Sequence, residues 1–185
     1  MDEIRGILIF GLNGSGKTTL GRELARIMGF KHMDIEDYVF LPSEIPYTHS
    51  RPHGDTESLM IADIEKYRSF IISAVATNFS DKITSMLTLA IHLNTPVDIR
   101  MKRIEQREFE KFGDRVLEGG DMYDSSKKFR AFAASRSVSV IEEWGQTLEC
   151  PVVCADGCRD YRDVAVEVAR LYFEVVGVDM PHINS

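Results

Sequence analysis

The chain has 185 residues, 44% of them apolar, enough for one domain with a substantial core, and no Pro/Gly/Ser-rich linker divides it. With 29 acidic against 22 basic residues and a formal charge of −7, it lacks the basic excess of a general nucleic-acid or membrane-surface binder, so an anionic ligand must be held by local cations. No window is apolar enough to span a membrane, and Met1-Asp2-Glu3-Ile4 has neither the charged start nor the apolar run of a signal peptide; the expectation is a cytoplasmic protein.

The apolar run Ile4 to Phe10 predicts a buried parallel strand. It leads directly into Gly11-Leu12-Asn13-Gly14-Ser15-Gly16-Lys17-Thr18, which fills the G-x-x-x-x-G-K-[ST] template of a phosphate-binding loop. Glycines in such a loop let backbone N–H groups turn inward, Lys17 reaches the β and γ phosphates, and the Thr18 hydroxyl holds Mg²⁺. Gly11, Asn13, Gly14, Ser15, Gly16, Lys17, Thr18 and Thr19 are therefore the candidate nucleotide-binding residues. Leu20, Leu24, Ile27 and Met28 recur at helical spacing behind the loop, so a helix over Lys17 to Met28 completes the strand–loop–helix order that a chance match lacks.

Gly29 is placed as a C-cap, and Phe30 to Met33 forms a short second strand ending at Asp34. Asp34-Ile35-Glu36-Asp37 then sets carboxylates at a strand's carboxyl end, the edge where open α/β sheets bind ligands. Two readings stand: these groups serve Mg²⁺ and a substrate hydroxyl, or they cap a helix N-terminus. From Leu41 to Gly54 the prolines predict a long loop, with Tyr47 and Arg51 as candidate contacts for an anionic or aromatic substrate, or else a solvated surface. Asp55 or Thr56 is expected to cap a helix through about Arg68, followed by a third strand, Phe70 to Val75. The carboxylate that closes such a strand in a Walker B motif is missing, since Ser73, Ala74 and Val75 stand there, and Asp34 or its neighbours are left to supply it.

A short helix opens at Ser80, and Leu87 to Leu93 is the fourth strand. Thr95-Pro96-Val97-Asp98 reads as a helix start with Thr95 as cap. On that helix Arg100, Arg103 and Arg107 share a stripe, where side-by-side like charges favour an anion over a merely solvated face. The polar, glycine-bearing stretch from Lys111 to Met122 reads as a flap. A long helix is expected from about Ser125 to Thr147, with Arg136 in the middle of its apolar stripe; a buried guanidinium there needs a phosphate or an internal carboxylate. Pro151 to Ala155 is the fifth strand, Asp156-Gly157 a turn, Tyr161 to about Val176 a closing helix, and Asp179 to Ser185 a disordered tail. Cys150, Cys154 and Cys158 straddle the fifth strand without Cys-x-x-Cys pairing and read as reduced, partly buried thiols, and the five histidines show no ligand spacing.

Alternating strands and helices behind a phosphate-binding loop predict an α/β fold, a doubly wound five-stranded parallel sheet, in a single domain over 1–178. With Arg103-x-x-x-Arg107 after strand four and a glycine-bearing loop beyond, the chain resembles the P-loop kinases of the nucleoside-monophosphate kinase and shikimate kinase group, an adenylate kinase-like family. That resemblance implies the sheet order 2-3-1-4-5, an acceptor site after strand two, and a lid over about 111–122 whose arginines close on the phosphates. Carried over residue by residue, Lys17, Arg103, Arg107 and Arg136 become the catalytic set, Asp156 the turn that packs on the adenine, and Asp34, Glu36, Asp37 and Arg51 the acceptor side. Asp34-x-Glu36 looks like the Asp-x-Asp of shikimate kinases, which makes Asp34 with Thr18 the metal pair. Neither the Asp-Gly-x-Pro-Arg of adenylate kinases nor the Gly-Gly-Gly of shikimate kinases follows strand three. The expectation is an Mg²⁺-assisted transfer of the γ-phosphate of ATP to a nucleotide or hydroxylated metabolite; the alternative is a nucleotide-dependent switch or NTPase without a small-molecule acceptor.

Overall fold

The computed structural model describes residues 4–43, 48–75 and 79–180. Its strands are β1 (Arg5–Phe10), β2 (Lys31–Asp34), β3 (Ser69–Ala74), β4 (Leu87–Asn94) and β5 (Val152–Asp156), all parallel in the order β2-β3-β1-β4-β5. The order follows the expectation. β1 sits at the centre because it is apolar on both faces: Ile7 and Ile9 enter one core with Leu20, Leu24 and Val168, while Leu8 and Phe10 enter the other with Met60, Ile64 and Ile141. Helices α1 (Lys17–Met28) and α8 (Tyr161–Val176) cover the first face, and α3 (His53–Tyr67) with α7 (Val138–Gly145) the second. Edge strand β5 has its outward residues exposed.

The remaining helices are α2 (Ile35–Val39), α4 (Asp81–Thr84), α5 (Val97–Phe112) and α6 (Tyr123–Ser135). Gly29 ends α1 in a left-handed conformation, its N–H donating to Ala25 O, as expected of a C-cap. Among the described residues no helix is long and apolar enough to cross a membrane.

Several expectations are corrected. The helix before β3 starts at His53, behind Pro52, so Asp55 and Thr56 lie inside its first turn rather than capping it. Thr95 does not cap α5; its buried hydroxyl donates to Ser15 O at 3.1 Å, and Pro96 leads the helix instead. The single helix expected from Ser125 to Thr147 is two, because Arg136 adopts an extended backbone (φ −67°, ψ 129°) and the Ser137 hydroxyl accepts from Ser139 N to start α7. Arg136 therefore sits at a corner between helices, with Phe132 and Val140 exposed on either side, not within an apolar stripe. Within the segment read as a flap, Gly113–Val116 is a 3₁₀ turn, and buried Val116 and Met122 and a bidentate Arg115–Asp121 pair at 3.0 and 2.7 Å give the segment its fold. Of the thiols only Cys150 is partly buried; Cys154 and Cys158 are exposed. Met180 of the expected tail packs against the α8 core, whereas Tyr47 and residues 181–185 lie outside the described residues.

Candidate active site

The loop Gly11 to Thr18 joins the centre of the sheet to the start of α1. Gly14 (φ +81°) and Gly16 (φ +103°) hold left-handed conformations, and a Cβ on Gly14 would stand 2.6 Å from Arg100 O. Only glycine fits there. No side chain caps α1 and no acid occupies its first turn, so the first amides and the dipole of a twelve-residue helix are left for an anion. Ser15 Oγ is buried with no partner among the described residues, a second sign that the cradle is shaped for a polar ligand.

Three cations converge on this mouth. Lys17 lies half-buried with its ammonium folded onto Leu12 O at 3.1 Å. Burial pushes its pKa down to about 8; Glu36 and Asp34 pull it up, and Arg107 and Arg136 push it down further. Arg136 Nη1 reaches Asn13 Oδ1 at 3.5 Å while its guanidinium lies 5.5 Å over the Phe132 ring. No carboxylate among the described residues pairs with it. Arg107 is exposed, with no hydrogen bond or ion pair among the described residues. Three cations at a helix N-terminus, none of them in an ion pair among the described residues, are arranged for a multiply charged anion.

The arginine stripe on α5 divides by depth. Arg100 is 2% exposed and donates to Thr95 O, Asn13 O and Ala133 O at 3.2 Å each, so it ties the loop to the end of α6 and is no anion ligand. Arg103 donates to Ser15 O at 3.1 Å and Gly157 O at 2.9 Å, which fastens the loop to the β5–α8 turn. Between them lies a cavity of about 240 Å³ lined by Ser15, Gly16, Thr19, Arg103, Asp156 and Tyr161, among others. Asp156 shapes its mouth by accepting from Cys158 N at 2.8 Å, and Gly157 N donates to Asn94 O at 2.7 Å. The space adjoins the loop on the side away from Asp34 and suits a planar base.

On the other side, Thr18 Oγ1 donates to Asp34 Oδ2 at 2.7 Å, and Asp34 Oδ1 accepts from Glu36 N at 3.1 Å. Asp34 caps α2, as the capping reading expects, and also meets the loop hydroxyl. A hydroxyl and a carboxylate sharing one point form an oxygen donor set of the kind Mg²⁺ takes. Glu36 is half-buried near Lys17 and its carboxylate has no hydrogen bond or ion pair among the described residues. Asp37 is exposed, and Arg51 is turned elsewhere, its Nη1 within 2.7–3.3 Å of the carbonyls of Tyr38, Asp37 and Phe40 at the end of α2. Sequence reasoning passed over Tyr161 as a lining residue and gave Arg100 and Thr95 other roles, in an anion-binding stripe and at a helix cap. For Thr95 and Arg100 the available signal was their position, just past the end of a strand adjacent to the loop.

No family model matches the chain. The uncharacterized protein YqaC of Bacillus subtilis (strain 168) is 31% identical over 157 residues, covering 80% of this chain and 86% of that protein. Among solved structures, shikimate kinase from Acinetobacter baumannii in complex with shikimate aligns with a TM-score of 0.54 at 15% identity over 91% of this chain and 93% of that one. A gluconokinase from Sinorhizobium meliloti 1021 aligns with a TM-score of 0.53 at 18% identity over 96% and 98%. A sugar kinase from Janibacter sp. HTCC2649 gives 0.52 at 17% over 92% and 95%. The chain belongs to the family of Bacillus subtilis YqaC, and its fold is that of the P-loop small-molecule kinases.

Proposed function

We propose that the protein is an ATP-dependent kinase that moves the γ-phosphate to a hydroxyl of a small metabolite. The observation that carries this reading is the meeting of Lys17, Arg107 and Arg136 at the loop mouth with the Thr18–Asp34 pair beside them. The acceptor oxygen forms the new P–O bond, the bond between the γ-phosphorus and its bridging oxygen breaks, and ADP leaves. The hydroxyl proton passes to Glu36, the carboxylate beside Lys17 that has no partner among the described residues. Lys17, Arg107 and Arg136 neutralise charge on the transferring group, and Arg103 holds the loop against the base-side turn. Mg²⁺, held through Thr18 Oγ1 and Asp34, supplies further charge neutralisation on the phosphate oxygens.

Residues 1–178 act as one kinase domain in this reading, with 111–122 as the lid that excludes water. The structural neighbours are named for shikimate, gluconate and sugar, all hydroxylated metabolites, which supports a hydroxyl over a nucleotide acceptor. A supply of ATP implies the cytoplasm. The test is a screen of purified protein with ATP and Mg²⁺ against sugars, polyols, hydroxy acids and nucleotides, each read as ADP formed above an acceptor-free control. Acceptor-stimulated turnover supports the kinase; ATP hydrolysis indifferent to every acceptor supports an NTPase instead.

A further inference from the structure

Ser73 stands at the end of β3, where a Walker B carboxylate is missing, and it is 2% exposed. Its hydroxyl donates to Lys17 O at 3.1 Å, and His32 Nε2 on β2 lies 2.9 Å from the same oxygen. One hydroxyl has one proton. With that proton given to Lys17 O, Ser73 Oγ accepts from His32, so the imidazole carries its hydrogen on Nε2 and a chain runs His32 to Ser73 to the first carbonyl of α1. Gly21, one helical turn along, leaves the room this chain needs: a Cβ there would stand 2.5 Å from Ser73 Oγ and 2.6 Å from His32 Nε2.

We infer that His32 and Ser73 are positioning residues that lock the first turn of α1 onto the ends of β2 and β3, and so set the Thr18–Asp34 metal pair. The β2–β3 register supports this, because Asp34 pairs with Ser73 directly and the lock lies one residue from the hydroxyl it positions. A long lysine side chain tolerates a small shift of the helix start. A hydroxyl and a carboxylate that must reach one ion together do not, so the lock acts on metal-assisted binding above metal-free binding.

This inference rests on the nucleotide-binding reading, and the test separates the two. ADP affinity is measured by calorimetry with Mg²⁺ and with a chelator, for wild type, His32→Leu, Ser73→Ala and His32→Gln, alongside melting temperature. The expected result is that Leu and Ala variants lose about fivefold or more of the Mg²⁺-dependent tightening, with metal-free affinity within about twofold of wild type. His32→Gln, which can donate to the same oxygen, restores most of the tightening. Variants that melt earlier but keep the wild-type ratio would show that the chain is packing alone and overturn the lock. A wild type that binds no ADP in either condition overturns the nucleotide reading itself, and the lock with it.

Discussion

Thr18 Oγ1 and Asp34 Oδ2 stand 2.7 Å apart, although one opens the helix after β1 and the other closes β2. The parallel sheet brings them together, since β1 and β2 flank β3 and their carboxyl ends share one edge. In the proposed kinase reading this carboxylate stands in for the one that strand three lacks. Asp34→Asn keeps the cap on Glu36 N but removes the charge, so it should raise the Mg²⁺ concentration needed for half-maximal turnover by about tenfold and leave metal-free nucleotide affinity nearly unchanged. Overlaid metal titrations for variant and wild type would reduce Asp34 to a helix cap.

Burial holds Lys17 near pKa 8 in the free protein, and a bound phosphate anion favours its charged form. Nucleotide binding at pH 8.5 should therefore take up about three quarters of a proton, and at pH 6.5 take up almost none through this group. Calorimetry in buffers of different ionisation enthalpy reads the uptake directly, and Lys17→Met should abolish it. The same shift acts on stability. The unfolded chain keeps this proton up to pH 10.5, so the free protein becomes more stable as pH rises from about 8 to 10.5, and Lys17→Met should flatten that rise.

Arg136 lies at the α6–α7 corner beside Asn13 and has no carboxylate partner among the described residues. Arg136→Met keeps the stem on Phe132 and removes a charge held near two other cations. Stability should stay within about 1 kcal/mol of wild type or rise, while turnover falls on the order of 10²-fold. A destabilised variant with full specific activity in its folded fraction would assign Arg136 to the scaffold.

Arg100 gives the opposite pattern from the same helix. Arg100→Met strips three carbonyls of their donor, those of Thr95 and Ala133 buried and that of Asn13 partly buried, and should cost on the order of 3 kcal/mol, read as a lower urea midpoint at unchanged slope. An unchanged midpoint would mean that water replaces the guanidinium.

What the chain shows in one dimension is what repeats or is bounded by glycine and proline. The loop, the α1 and α8 boundaries and the five strands follow from apolar periodicity and from Gly29, and the sheet order from the family resemblance. The α6–α7 break was hidden because Ser135-Arg136-Ser137 carries neither glycine nor proline, and the Ser137 cap competes with the helix only in three dimensions. The arginine stripe was visible, but its depth was not: Arg100, Arg103 and Arg107 differ by which carbonyls the loop and the β5–α8 turn bring near them. Where Arg51 turns was hidden for the same reason, since the carbonyls beside its Nη1 lie at the end of α2, a helix of five residues that periodicity cannot reveal.

The most direct measurement is acceptor-dependent phosphoryl transfer by wild type and Lys17→Ala, with folding of both checked by melting temperature. The wild type should convert ATP to ADP only when a hydroxylated acceptor is added, and Lys17→Ala, folded but lacking the loop charge, should lose at least about 10²-fold of that rate. Equal transfer by the two proteins, or ATP consumption that no acceptor stimulates, would contradict the account.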